Sequence, residues 1–183
     1  MFDEIFSHPY IGNYVKGLPE DFEKLDTPSR LKVLTTLKGN VPAEIFESTI
    51  TKETLGSIRA MRIIQERNGE RGCNRYIISN CQTIDNILEL FALHKICNWD
   101  QPTVDIIPLF ETIPDLKVCV KIMQTLIENE QYRKHLASRG DKQTVMLGFS
   151  DGTKDGGYFM ANWSIYKAKE DLTALSNLSL IHI

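Results

Sequence analysis

Three charged residues follow short apolar runs in the sequence. Their side chains could come together in one reactive site. Glu111 directly follows the run VDIIPLF, and Asp151 directly follows the run TVMLGFS. Mg²⁺ in proteins is usually bound by one or two carboxylates, and water completes its octahedral coordination. Lys154 comes three residues after Asp151, so its ammonium can meet an anionic substrate beside the metal. The pattern predicts a magnesium site that also binds an anion.

The stretch GFSDGTKDGG, residues 148–157, surrounds Asp151 with glycine. Gly152, Gly156 and Gly157 let the backbone bend and approach a ligand closely. The N–H groups that open the next helix favour an anion. We therefore interpret this stretch as a loop that brings a carboxylate to a binding site.

Each of these residues also has a purely structural interpretation. Glu111 at a strand end can be a surface or salt-bridge residue, and Asp151 can begin an Asx-turn or cap the following helix. Lys154 can simply be solvated, and glycine clusters occur in many turns. The residue types alone leave these alternatives open.

Three strand–helix units position these residues. Short apolar or β-branched runs occupy residues 76–79, 104–110 and 144–150. Each precedes a longer run with a period near 3.6, in residues 83–96, 114–136 and 156–175. Repeated strand–helix units predict parallel strands, and apolar runs without alternation predict strands buried on both faces. The fold class is therefore α/β, a doubly wound sheet or a β/α barrel, and in both the chemistry collects at the carboxyl ends of the strands.

Composition limits the partners and the compartment. The net charge of −3 argues against a general nucleic-acid binder, which needs a basic surplus to neutralise phosphates. No apolar run approaches the roughly 18 residues that span a bilayer, and the N-terminal residues do not resemble a signal peptide. The four cysteines lack metal-site spacing, so we predict reduced, packing residues. These features predict a cytoplasmic protein with neither a nucleic-acid nor a membrane partner.

Three blocks, in order, resemble the phosphoenolpyruvate carboxylase family. Residues 145–172, VMLGFSDGTKDGGYFMANWSIYKAKEDL, resemble the family signature, a strand ending in Gly-Tyr-Ser-Asp-Ser followed by Lys-Asp, a small residue and Gly. Residues 106–116, IIPLFETIPDL, resemble its Pro-Leu-Phe-Glu-Thr strand end, and residues 76–90 resemble the preceding strand and helix. By these blocks the chain is identified as part of a bacterial-type member of the family.

The resemblance implies a partial β/α (TIM-type) barrel with many helices, of which this chain holds about three parallel strand–helix units of an incomplete domain. It implies a carboxy-lyase that forms oxaloacetate and phosphate from phosphoenolpyruvate and bicarbonate with Mg²⁺ or Mn²⁺, in a full-length homotetramer. The family's metal ligands match Glu111 and Asp151, and its catalytic lysine matches Lys154. The strand-end positions select the same two carboxylates.

This chain departs from the family pattern in two ways. Phe149 replaces the usual tyrosine, Gly152 the usual serine, and Gly156 a residue that is commonly alanine. The family's catalytic histidine and its substrate-binding arginines have no match in these 183 residues. We therefore expect the isolated chain to be inactive and, because its strands have open edges, prone to aggregate.

The resemblance also divides the chain. Residues 1–68 form a charged, helical segment that leads into the barrel, with a helix predicted over 51–66, and residues 69–177 form the partial barrel. Residues 178–183, LSLIHI, are the translation of CTGTCTCTTATACACATC, a transposon end used to fragment DNA for sequencing libraries. We expect a non-native tail there, and expect Met1 to be an internal methionine or an assigned start.

Two other classes of protein fit the residues. One is a different Mg²⁺-dependent β/α barrel enzyme that acts on pyruvate-like acids and uses the same carboxylate pair. The other is a short, non-catalytic interaction domain in which the carboxylates are structural. The second would fold alone and ignore Mg²⁺.

Overall fold

The computed structural model describes residues 2–179 and 181–182, which belong to two units. The first comprises Met1–Asn74 with Leu88–Val104, and the second comprises Arg75–Ile87 with Asp105–Ile183. Met1, Leu180 and Ile183 lie outside the described residues. The divisions predicted after residues 68 and 177 stay predictions. Within the described part of the chain, no helix is both long and apolar enough to cross a membrane.

The first unit is mainly helical. Its principal elements before residue 75 are α1 (Phe2–Phe6), β1 (Val15–Lys16), α2 (Thr27–Thr36), β2 (Lys38–Gly39) and α3 (Thr49–Asn68). Helix α3 begins after Ser48, whose hydroxyl accepts a hydrogen bond from the Thr51 N–H at 3.3 Å. It ends at Gly69, where φ is 82°, a value that favours glycine. The helix predicted over residues 51–66 is confirmed.

The second unit contains the strand–helix repeats. The elements from residue 75 onward are β3 (Arg75–Ile78), α4 (Ile84–Ile96), β4 (Asp105–Phe110), α5 (Ile113–Glu128), α6 (Glu130–Ser138), β5 (Met146–Leu147) and α7 (Ser150–Ser179). The later part of α4 belongs to the first unit. The three strands form one sheet in the order β3-β4-β5, and both pairings are parallel. The predicted α/β class with three parallel strands is confirmed.

The register of the sheet aligns two strand ends. Leu109 pairs with Met146 and Phe110 pairs with Leu147. Beyond this last pair, the Gly148 N–H donates to the Phe110 carbonyl at 2.7 Å. The residue after β4, Glu111, therefore lies next to the residue after β5, Gly148.

Burial along the two edge strands differs from the prediction, because Ile77 in β3 and Met146 in β5 are exposed. Strand β4 is buried on both faces, with Ile106, Ile107 and Phe110 in the core. Strand β3 instead alternates, and Ile77 is 48% exposed. Among the described residues β3 pairs only with β4, so part of its surface faces solvent.

Two helical runs also differ from the prediction. The run predicted over residues 114–136 is two helices, because the Asn129 side chain caps α6 by accepting from the N–H groups of Gln131 and Tyr132. The third run was predicted from residue 156, but α7 begins at Ser150. It is interrupted at Gly157, where φ is 76° and ψ is 167°. The predicted loop around Asp151 is therefore a helical turn, residues 150–156, which we name the site turn.

Three of the four cysteines lie in the core. All four carry free thiols, and Cys81, Cys97 and Cys119 are buried whereas Cys73 is half-buried. Burial raises the pKa of Cys81 to about 12 and that of Cys97 and of Cys119 to about 11. At pH 8 these three groups are therefore protonated thiols, which are poor nucleophiles.

We predict that one thiol, Cys73, reacts rapidly with a disulfide reagent at pH 8 in the folded chain. Unfolding in urea is expected to make all four thiols reactive, because it restores both solvent access and an ordinary pKa. The count of released chromophore with and without urea measures this. Rapid reaction of three or more thiols in native buffer would contradict the burial described above.

Candidate functional site

The candidate site lies at the carboxyl edge of the parallel sheet in the second unit. Glu111 is the first residue after β4, and Asp151 is the second residue of α7, four positions after the end of β5. Neighbouring strands lie about 4.8 Å apart, so residues that follow aligned strand ends are close in space. The sequence prediction that the two carboxylates converge is in keeping with this register.

The Glu111 side chain lies close enough to Asp151 to lower the pKa of that carboxyl. Lys154 Nζ lies 2.8 Å from Asp151 Oδ1. Both acidic side chains are half-buried, whereas that of Lys154 is 79% exposed. All three predicted site residues are thus brought together in one cluster, which we name the carboxylate site.

Asp151 and Lys154 stabilise each other's charged forms. The Lys154 ammonium, and after it the Glu111 side chain, hold the pKa of Asp151 below its ordinary value. Reciprocally, the hydrogen bond to Asp151 raises the pKa of Lys154. At neutral pH Asp151 is therefore an anion and Lys154 a cation. Two ionised carboxylates close together repel each other unless a proton or a cation lies between them.

Two glycines make room for Glu111. A Cβ at Gly148 would lie 3.0 Å from the Glu111 Cα and 3.3 Å from its Cγ. A Cβ at Gly152 would lie 3.3 Å from the Glu111 carbonyl oxygen. Gly148, directly after β5, passes the Glu111 backbone so closely that a side chain there would require Glu111 to shift by a few tenths of an ångström.

Two residues that the sequence analysis did not select also contact the site. The Asn80 N–H donates to Glu111 Oε1 at 3.0 Å, and Asn80 has φ of 52°, a left-handed conformation that asparagine tolerates. Asp155 Oδ2 accepts a hydrogen bond from the Ile113 N–H at 3.2 Å. An asparagine two residues after the end of a strand is a signal for such a turn, whereas the Asp155 contact depends on the tertiary fold.

The departures from the family pattern have local explanations at two positions. A Cβ at Gly156 would lie 3.0 Å from Cγ1 of Ile113, so the glycine accommodates that branched side chain. Phe149 is 46% exposed and forms an edge contact with Tyr158, with ring centroids 6.0 Å apart. Neither Gly156 nor Phe149 takes the place of a carboxylate of the site.

The donor set of the carboxylate site fits a hard cation. Residues 2–179 and 181–182 contain no group of three or more histidine, cysteine, aspartate or glutamate side chains that could hold a metal ion. Mg²⁺ is commonly bound by one or two carboxylates, with water and substrate oxygens completing the shell. The pair Glu111 and Asp151 has this composition, and a cation between them would relieve their repulsion. These residues define a class of protein, an α/β chain with an acidic pair at the carboxyl edge of a parallel sheet.

Comparison with known proteins names the family. A family model described as phosphoenolpyruvate carboxylase matches residues 10–183. A phosphoenolpyruvate carboxylase from Nitrosomonas eutropha is 41% identical over 154 residues, covering 79% of this chain and 16% of the relative. One from Nitrosomonas europaea is 44% identical over 135 residues, covering 69% and 14%. One from Corynebacterium glutamicum is 37% identical over 180 residues, covering 94% and 19%.

The chain belongs to the phosphoenolpyruvate carboxylase family. It spans less than a fifth of the length of these curated relatives. The family predicted from the three sequence blocks is therefore confirmed, and the partial coverage is consistent with a fragment.

Proposed function

We propose that this chain is the part of a phosphoenolpyruvate carboxylase that carries the metal site. Glu111 and Asp151 are the protein ligands of Mg²⁺ or Mn²⁺, and Lys154 contacts the anionic substrate. The observation that carries the proposal is the convergence of two carboxylates that follow adjacent, register-aligned parallel strands, where the Glu111 side chain lowers the pKa of Asp151.

A partial β/α barrel is the fold that we propose for the longer protein. Strands consecutive in the chain are neighbours in the sheet, in the order β3-β4-β5, without the reversal of order that marks a doubly wound sheet. Among the described residues β3 and β5 each pair only with β4, which leaves one edge of each open to a further barrel strand. Exposed apolar side chains on both edge strands, Ile77 and Met146, support such coverage.

The proposed reaction joins bicarbonate to phosphoenolpyruvate and releases oxaloacetate and phosphate. The phosphoryl group passes to a bicarbonate oxygen and leaves an enolate. The enolate carbon then attacks the carboxyl carbon as phosphate departs. When bound, the divalent cation offsets the negative charge of the substrate and of the enolate.

The residues of this chain have binding and orienting roles in that reaction. The Glu111 carboxylate is held by the Asn80 N–H, so its position is fixed before any ligand binds. An ammonium has three donors, of which Asp151 takes one from Lys154. The remaining donors are available to an anionic oxygen. The histidine and arginines that the family also uses would come from other parts of the longer protein, as would the contacts of the proposed homotetramer.

Binding of Mn²⁺ to this chain tests the proposal. Titration followed by electron paramagnetic resonance, at micromolar protein concentration, is expected to show one saturable site that Mg²⁺ displaces. Glu170→Gln is the matched control, because it removes an exposed carboxylate from the same helix, paired with Lys167 at 2.8 Å. A folded chain that ignores both cations would favour a non-catalytic interaction domain. Binding without phosphoenolpyruvate carboxylation in the longer protein would favour a different magnesium-dependent barrel enzyme.

We predict that the isolated chain forms no oxaloacetate and gives a low soluble yield. It lacks a match to the family's catalytic histidine and substrate-binding arginines. The open edges of β3 and β5 can also pair with other molecules. A coupled assay for oxaloacetate at saturating Mg²⁺, together with the soluble fraction after expression, measures both. Metal-dependent turnover by the chain alone would refute the expected inactivity.

A further inference from the structure

The N-terminus of α5 makes an unusual contact with the site turn. Asp155, four residues after Asp151, accepts a hydrogen bond from the backbone N–H of Ile113 at 3.2 Å. Ile113 is the first residue of α5 and lies two residues after Glu111. The contact therefore joins the segment that carries Asp151 to the segment that carries Glu111.

The other N–H groups in the first turn of α5 already have partners. The Asp115 N–H is capped by the Thr112 hydroxyl at 3.3 Å, the Leu116 N–H donates to the Thr112 carbonyl at 3.0 Å, and Pro114 has no N–H. The first four N–H groups of a helix find no acceptor within the helix itself. Of the N–H groups named here, that of Ile113 is the one satisfied by a side chain from beyond the helix and its cap residue Thr112. Asp155 supplies that acceptor.

Glycines flank the site turn. Gly148 lies two residues before it, and Gly157, whose φ of 76° breaks the helix, directly follows it. Gly156 packs directly on the Ile113 side chain, since a Cβ there would lie 3.0 Å from Ile113 Cγ1. The hydrogen bond and this packing both fix the end of the turn against the first residue of α5.

We propose that Asp155 is a positioning residue of the carboxylate site. By holding the N–H of Ile113, it keeps the site turn, and with it Asp151 and Lys154, against Glu111. The inference rests on the proposed function of the site, because its effect is measured on the binding of the cation. Partners that orient metal ligands typically contribute a factor of about 10 to 100 in metal affinity.

The test compares three variants of the full 183-residue chain. Asp155→Ala removes the acceptor and is expected to weaken Mn²⁺ binding by about tenfold. Asp155→Asn keeps an oxygen acceptor and is expected to restore most of the affinity. Asn129→Ala is the matched control, because it removes the cap of α6 in the same unit without touching the carboxylate site. It is expected to lower Tm while leaving Mn²⁺ affinity unchanged.

Hydrogen exchange gives a second readout that needs no metal. The amide of Ile113 reports the contact with Asp155, and the amide of Asn80 reports the position of Glu111. Faster exchange at both amides is expected in Asp155→Ala and at neither in Asn129→Ala. If the unaltered chain binds no Mn²⁺, the proposed metal site fails, and the Asn80 amide alone decides the role of Asp155. Unchanged exchange at Asn80, or unchanged Mn²⁺ affinity, in Asp155→Ala would overturn the inference.

Discussion

Replacing Glu111 by Gln, or Asp151 by Asn, is expected to lower kcat/KM for phosphoenolpyruvate by about 10³-fold in an enzyme that carries this segment. Each replacement keeps the size of the side chain and removes one of the two negative charges that would bind the cation. Both side chains are half-buried at most, and they are not part of the hydrophobic core, so the fold should persist. The loss is therefore expected in activity and not in stability.

The measurement uses a chimaera in which this segment replaces the corresponding one in the Corynebacterium glutamicum relative, with which it shares 37% identity over 180 residues. Steady-state kinetics at several Mg²⁺ concentrations separate weak metal binding from slow chemistry. Glu170→Gln is again the control and should match the parent chimaera. Activity within a few-fold of the parent for either site variant, with unchanged dependence on Mg²⁺, would refute the ligand assignment.

Gly148→Ala is expected to displace Glu111 and to cost stability as well as metal affinity. The new Cβ would lie 3.0 Å from the Glu111 Cα, and the backbone cannot rotate away as a flexible side chain can. Overpacking of this kind costs about 1–3 kcal/mol of unfolding free energy. The shift of Glu111 is expected to weaken Mn²⁺ binding by at least about tenfold, the size of effect seen when the orientation of a metal ligand is lost.

Gly56→Ala provides the comparison for this variant. Gly56 lies within α3, and a Cβ there would meet nothing within 4 Å. Alanine is expected to stabilise that helix by up to about 1 kcal/mol and to leave the carboxylate site unchanged. Urea unfolding gives the free energies, and Mn²⁺ titration gives the affinities. Full Mn²⁺ affinity in Gly148→Ala would show that Glu111 does not need its present backbone position.

Local sequence patterns were enough to predict the α/β class and to propose the two carboxylates. Continuous apolar runs predicted the three strands, and runs of period near 3.6 predicted most of the helices, because both patterns are local properties. Because the carboxyl ends of parallel strands meet at one edge, position in the chain was enough to select Glu111 and Asp151. Those choices required no knowledge of which side chains touch.

The contacts that hold the site together became visible only in the folded chain. The helical turn around Asp151 looked like a loop, because its glycines and charged residues resemble turn sequences, and contacts with α5 stabilise it instead. The roles of Asn80, Gly148 and Asp155 depend on partners 31 to 42 residues away in the chain, or on the close approach of two backbones. Local sequence patterns do not show which distant residues come into contact. The register of the strands and the packing of the helices determine these contacts, which form only when β4 and β5 pair.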